Sequence, residues 1–269
     1  METKNERRRQ NVCYALTYYL KTRFLGEVNT FFGNRFKTIK RVIYIIDRAK
    51  KTNDSKPLIN LPNEIMKLII ESDDISDYLR EVPRVIQFTT PLIQQQIESI
   101  TNQTNSVRER AKLAFEFACD EIQHSFDSAA CEVVTIGAEE TIAKMEGICF
   151  AKSHVLASLL RGMHIPTGFC YQLKKDPKAG YALHGLNAIY LEETGWFRVD
   201  PRGNKEGIDS QFSIEVEQLD YPIDPSAGEV DYPGVYTAPL PEVIMAMQKS
   251  KDVQALFYNR PKAVESNKD

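Results

Sequence analysis

What the chain lacks narrows it first. Across its 269 residues no apolar run approaches the roughly 18–20 residues that a membrane-spanning helix requires. The stretch Met1 to Val12 is charged. The apolar segment after it, Val12 to Leu20, is short, holds Thr17 and the tyrosines Tyr14, Tyr18 and Tyr19, and leads to no small-residue cleavage site. No secretory signal is read there, and the expected compartment is the cytoplasm. There is no CxxC, and no pair of histidines falls at helical spacing. Cys149 and His154 are five residues apart, about 140° around a helix, so they share no ligand face. Neither a metal site nor a cofactor is therefore expected. The five cysteines (Cys13, Cys119, Cys131, Cys149, Cys170) are odd in number and scattered. In a chain this long that is no disulfide framework, and reduced thiols are expected. Excess charge is missing as well. The net charge is −3, with 42% hydrophobic and 26% charged residues, which excludes a disordered chain. The length suits one large domain or two modest ones, with ample core.

The charge is unevenly placed. Residues 1–56 hold 14 Lys plus Arg against 5 Asp plus Glu, a balance of +9; the remaining residues hold 20 against 32, a balance of −12. This break marks the clearest boundary, beside the polar run Lys50 to Pro57. The expected organisation is a basic helical N-terminal extension over 1–56, a linker over 57–74, a catalytic domain over 75–250 and a C-terminal tail over 251–269. A basic, aromatic-rich extension suits an anionic partner: nucleic acid, a membrane surface, or the acidic body of its own chain. A solvated basic face is the plainer reading.

Helices come next along the chain. Thr90-Pro91 is an N-cap with proline at the first helical position, and Ile93, Ile97 and Ile100 recur at helical spacing. Ser106-Val107-Arg108-Glu109 is a capping box. It opens a helix to about His124 with Val107, Ala111, Ala114, Ala118 and Ile122 on one stripe. Ala138 to Met145 is a short helix. Over Cys149 to Met163, Cys149, Leu156, Leu160 and Met163 share a face, while His154 and Arg161 project to the opposite side, where solvent is expected. After Pro166 the period becomes two. Thr167–Leu173, Leu183–Leu191 and Trp196–Asp200 read as strands, with a turn at Glu192 to Gly195. Side-chain parity requires an even residue sum across the hairpin if His184 and Asp200 are to share a face; a five-residue loop, Leu191 to Gly195, pairs Tyr190 with Trp196 and puts Asp200 opposite Leu186. The last 60 residues, rich in proline and acid, are expected to wrap the domain before a helix near Pro241 to Lys249. Helices first and antiparallel strands after them give an α+β class.

Three residues carry candidate chemistry. Cys149 begins a helix, where partial positive charge and free N–H groups favour a thiolate. His184 lies on a strand beside Gly185, which leaves space for a substrate backbone. Asp200 ends the next strand. A cysteine nucleophile needs a base to take its proton and return it to a leaving group, and gains from a carboxylate that fixes the imidazole. Taken singly, a cysteine on an apolar helix face is a small hydrophobe and a lone histidine is structural. Their order, one on a helix start and two on a hairpin, points to a thiol active site.

Those residues also carry a resemblance. Glu146-Gly147-Ile148-Cys149-Phe150-Ala151-Lys152-Ser153, continuing through Leu159-Leu160-Arg161 and Ile165-Pro166, resembles the nucleophile segment of the transglutaminase-like superfamily, in its bacterial members. His184-Gly185-Leu186-Asn187-Ala188 is similar to its histidine strand, and Gly195 to Gly203 to its aspartate strand. Arg108 to Asp127 resembles the helix that precedes the core. The resemblance spans roughly residues 75 to 250. It implies a papain-like α+β fold with the nucleophile helix packed on an antiparallel sheet. Cys149 would be the nucleophile, His184 base and acid, and Asp200 the orienting carboxylate. The implied reaction is acyl transfer from a carboxamide or peptide bond of a protein or peptide substrate, through a thioester. A protease or amidase that hydrolyses the same bonds is the first alternative; an interaction module with a vestigial triad is the second. Met163-His164 departs from the family's residue-Gly before Ile-Pro, so a local loop change is expected at His164.

Overall fold

A computed structural model describes residues 66–128, 132–220 and 222–265, all within one compact unit, Met66–Asp269. The basic extension lies outside the described residues, as do Cys13 and Cys131. In chain order the elements are strand β1 (Ile69–Ile70), a 3₁₀ turn (Ile75–Leu79), helices α1 (Pro91–Thr101) and α2 (Val107–Glu116), and a π turn (Phe117–Glu121). Strand β2 (Gln123–His124), helix α3 (Ala138–Lys144), strand β3 (Glu146–Gly147) and helix α4 (Cys149–Gly162) come next. Strands β4 (Thr167–Asp176), β5 (Gly180–Leu191) and β6 (Gly195–Val199) precede β7 (Val230–Asp231), β8 (Gly234–Val235) and helices α5 (Pro241–Lys249) and α6 (Val253–Asn259).

The main sheet has the order β6-β5-β4-β7, antiparallel throughout. Two short parallel pairs flank it, β1 with β8 and β2 with β3. β1 falls inside the stretch read as linker, and α6 inside the stretch read as tail. The class is α+β, as expected, with α4 lying on the sheet.

α4 organises the core because it is enclosed on all sides. Its Val155, Leu156, Leu159 and Leu160 pack against Ile93, Ile97 and Ile100 of α1, Ala111, Ala114 and Phe115 of α2, and Ile189, Leu191, Phe197 and Val199 of the sheet. Its first turn, Cys149 and Phe150, joins a second cluster with Phe169, Tyr171 and Leu183 of the sheet, Val243 and Met247 of α5, and Leu256 of α6. Each leucine so enclosed stabilises the fold by about 2–5 kcal/mol against alanine.

This enclosure overturns one expectation. His154 and Arg161 are not solvated; both are 1% exposed. A helix wheel places them opposite the leucines, but Ile136 and Phe169 cover His154, and Arg80, Thr167 and Thr237 cover Arg161. His154 Nδ1 lies 2.6 Å from the Ile136 carbonyl, and its ring meets Phe169 edge-on. Burial, only partly offset by the Ile136 bond, pushes its pKa down to about 4. The Arg161 guanidinium donates to the carbonyls of Arg80, Thr167 and Thr237 at 2.6–3.1 Å, tying three segments together.

Two smaller differences concern α2 and the turns at its C-terminal end. Val107 is exposed rather than part of the buried stripe, whereas Ala111, Ala114, Ala118 and Ile122 are buried as expected. The helical turns stop at Glu121, because Gln123 and His124 pair with Glu146 and Gly147 instead. His164 takes a left-handed conformation (φ 59°) just past α4, the backbone that glycine adopts most readily at a helix end.

Candidate active site

Cys149 is the first residue of α4, after the extended N-cap Ile148. Strand β3, paired to β2, fixes the approach: Ser125 N–H donates to Gly147 O at 3.2 Å. The thiol therefore sits where helix N–H groups lack intrahelical partners and the helix dipole is positive. Cys149 is 3% exposed.

His184 lies in the middle of β5, opposite Gln172 of β4. Across the β5–β6 hairpin, Tyr190 pairs with Trp196 and Asn187 with Val199. This is the expected register, but Leu191 also pairs with Gly195, so the loop is three residues rather than five. Asp200, one residue beyond Val199, falls opposite Leu186 and on the same side as His184. His184 Nε2 lies 2.7 Å from Asp200 Oδ2. Asp200 also accepts from Arg202 N–H at 3.0 Å and from Asp220 N–H at 3.3 Å. With Nε2 committed to the carboxylate, Nδ1 is the ring nitrogen left for the thiol.

Charge and burial compete at each group. Burial opposes ionisation of all three, and the partners outweigh it. Asp200 is held at about 2, because burial is overcome first by the His184 charge and hydrogen bond and then by Lys174 and Arg202 N–H. His184 is pushed up to about 10: burial lowers it, Asp200 and Asp220 raise it more, Lys174 lowers it and Cys149 raises it. Burial raises the Cys149 thiol, yet the net shift is downward, through the His184 charge and hydrogen bond, the Gly185 N–H and Arg260. Burial pushes Cys119 and Cys170 up to about 12. Of the three described cysteines only Cys149 is drawn toward thiolate.

Gly185 serves packing rather than substrate. A Cβ there would lie 2.5 Å from Phe150 Cδ1, so the space at Gly185 is taken by the ring of the residue that follows Cys149 in the chain.

Several neighbours were not singled out from sequence. Lys152, one turn beyond Cys149, is fully buried and donates through Nζ to the carbonyls of Cys119 and Ile122. Burial lowers its pKa to about 8. His124 is buried and accepts from Phe126 N–H at Nδ1, 3.2 Å away. Burial first, then Arg202 and Lys152, hold it well below its ordinary range, so it is neutral where His184 is charged. Asp127 ties Arg202 (2.6 Å) and Lys205 (2.5 Å) over this side. Arg260 stacks on Phe126 and Phe257, and Pro261 O accepts from Leu183 N–H at 2.8 Å, beside the histidine. Asp220 and Lys174 approach His184 from other segments.

Among the described residues, His184, Asp200 and Asp220 form one cluster with the spacing of cation ligands. Lys174 Nζ already bonds Asp220 there. No described helix is long and apolar enough to cross a membrane.

Residues 94–201 match the family model described as the transglutaminase-like superfamily. Among solved structures, a candidate cysteine protease from Cytophaga hutchinsonii is 16% identical with a TM-score of 0.40, over 57% of this chain and 47% of that one. The periplasmic domain of TgpA from Pseudomonas aeruginosa is 15% identical, with a TM-score of 0.35, over 46% and 45%. A TGase is 15% identical, with a TM-score of 0.31, over 60% and 39%. The chain thus spans less than half the length of each. No curated protein matches it.

Proposed function

We propose, from a chain whose residues 94–201 match the transglutaminase-like superfamily, that the protein is a cysteine-dependent acyl-transfer enzyme with Cys149, His184 and Asp200 as its triad. The observation that carries this reading is the buried line of charge from Asp200 through His184 to Cys149: a 2.7 Å carboxylate–imidazole bond and a thiol at a helix start with its pKa drawn down by that imidazole.

The Cys149 thiolate attacks the carbonyl carbon of a carboxamide or peptide bond of a protein or peptide, forming a C–S bond. Negative charge develops on the carbonyl oxygen, and the Cys149 backbone N–H at the helix terminus is a donor for it. The C–N bond breaks, and the leaving amine takes its proton from His184. Asp200 holds the ring and stabilises its charged form. The thioester is then attacked by an amine or by water. His184 takes the attacker's proton, and collapse returns the thiolate. An amine acceptor makes the activity transglutamination; water makes it amidase or peptidase activity. The fold and the triad serve both. The cytoplasm is the proposed setting, since a reducing compartment keeps the thiol available. Residues 1–56, strongly basic, are proposed to meet an anionic partner.

The test is incubation of the full-length protein with glutaminyl peptides and hydroxylamine. The reading expects a covalent acyl mass on Cys149 and hydroxamate product. Ammonia release without hydroxamate would assign hydrolysis. No acyl mass on Cys149 with any carboxamide or peptide donor would count against the reading.

A further inference from the structure

A second carboxylate stands behind the His184–Asp200 pair. Asp220 comes from the connection between β6 and β7, and its side chain is 4% exposed. Its Oδ2 lies 3.7 Å from His184 Nε2. Its backbone N–H donates to Asp200 Oδ2 at 3.3 Å, the oxygen that already holds the histidine. Its Oδ1 accepts from Lys174 Nζ, which reaches over from β4. A single residue thus touches both members of the pair, through its backbone on one side and its side chain on the other.

Position alone makes this costly without a return. A buried carboxylate loses several kcal/mol of hydration by order of magnitude, and persists only where charge and hydrogen bonds compensate. Lys174 supplies one compensation and the charged imidazole the other. The arrangement alternates in sign from Lys174 to Asp220 to His184, with Asp200 beside His184 and the Cys149 thiolate beyond. Other charges near the ring are few. On α4 there are Cys149 and Lys152, the latter in electrostatic contact with Asp200. On β2 there is His124, held neutral. After β6, Arg202 directs its backbone N–H at Asp200 and its guanidinium at Asp127, and Arg260 acts on the thiol.

We propose that Asp220 is a positioning residue for the His184 imidazole: it braces Asp200 through its backbone N–H and holds the ring by its side-chain charge, with Lys174 as the counter-ion that keeps it in place. This rests on the reading of Cys149, His184 and Asp200 as the reacting groups. It extends the site beyond residues 94–201, into a segment that carries none of the three motifs. The direct consequence is that His184 answers to two charges of opposite sign. Removing Asp220's charge takes away an attraction for the imidazolium; removing Lys174's takes away a repulsion. A residue that merely supports packing moves both variants the same way.

The experiment is an NMR titration of the imidazole signals of full-length protein, with His184→Gln used to assign the resonance and circular dichroism used to confirm folding. Site-resolved iodoacetamide labelling of Cys149 is measured in parallel. Asp220→Asn is expected to lower the His184 midpoint by about one pH unit or more. Lys174→Met is expected to raise it, and Asp220→Glu to keep it near that of the unchanged protein. If Asp220→Asn fails to fold, Asp220→Ala read at the same midpoint takes its place, and an unchanged midpoint in that folded variant overturns the proposal. Midpoints that stay put in folded variants, or that fall in both Asp220→Asn and Lys174→Met, would overturn the proposal. A failure of the triad reading shows separately, as an unreactive Cys149 in the unchanged protein before any substitution is made.

Discussion

His184 Nε2 and Asp200 Oδ2 are 2.7 Å apart because Tyr190 pairs with Trp196 six and four residues away along the same hairpin. A slip of one residue in that register would send Asp200 to the other face of the sheet. Asp200→Asn keeps the shape and removes the charge that holds the imidazolium. Acyl transfer is expected to fall by about 10²–10⁴-fold. Alkylation of Cys149 should fall much less, since the helix terminus still favours thiolate. Comparing kcat with the alkylation rate in the same variant checks this split; equal losses in both would show that Asp200 acts on the thiol rather than on the ring.

Stability should depend on the same two groups. The folded pKa of His184, about 10, lies above its ordinary 6.5. Its contribution is therefore complete below 6.5 and is lost as pH rises through about 10. Asp200, held at about 2 against an ordinary 3.8, contributes above 3.8 and loses that contribution as pH falls through about 2. Urea unfolding across pH should show an alkaline decline beginning above 6.5. In His184→Gln the part of that decline owed to His184 should disappear. An unchanged alkaline slope in that variant would contradict the assigned charge.

Gly185→Ala tests packing rather than chemistry. The added methyl would stand 2.5 Å from the Phe150 ring, at the turn that carries Cys149. A loss of about 1–3 kcal/mol is expected from the overpacking. Phe150→Leu in the same chain opens the space and should recover part of it. Thermal unfolding of the single and double variants measures both, and additive losses would show that the ring is not the obstacle.

The placement of Cys149, His184 and Asp200 was legible because each carries a local signal. Cys149 comes directly after Gly147-Ile148 at a helix start, and the parity of strand pairing fixes which residues can meet across a hairpin. The matching of 94–201 to a family model agrees with the motifs in the sequence. The burial of His154 and Arg161 was not legible, because a helix wheel supposes that one side faces water, whereas α4 is covered by α1, α2 and α3 on one side and the sheet on the other. Lys152 escaped for the same reason: a lysine is read as solvated unless the carbonyls waiting for it, here Cys119 and Ile122, are known. Gly185 was read correctly as a place where a side chain is missing, and wrongly as room for substrate. Asp220 had no signal at all. It lies in an acidic, proline-rich stretch without periodicity, and only the return of that stretch to the sheet gives it neighbours.

Exposure sets a further expectation at Cys149. With Cys149 3% exposed and His184 7%, a reagent reaches the thiol only if it is small. Iodoacetamide should label it well ahead of a bulky maleimide, relative to the same two reagents on a free thiol in solution. Equal selectivity would mean that the site opens more widely than this structure shows.

The most direct measurement is the pH dependence of iodoacetamide labelling, resolved by mass spectrometry for Cys149, Cys119 and Cys170, in the unchanged protein and in His184→Ala. The account predicts that Cys149 reacts fastest, that its reactivity persists below the pH at which an ordinary thiol, at about 8.5, loses its proton, and that His184→Ala moves this dependence upward. Cys149 labelling at the rate of Cys170, titrating as an ordinary thiol and indifferent to His184, would contradict it.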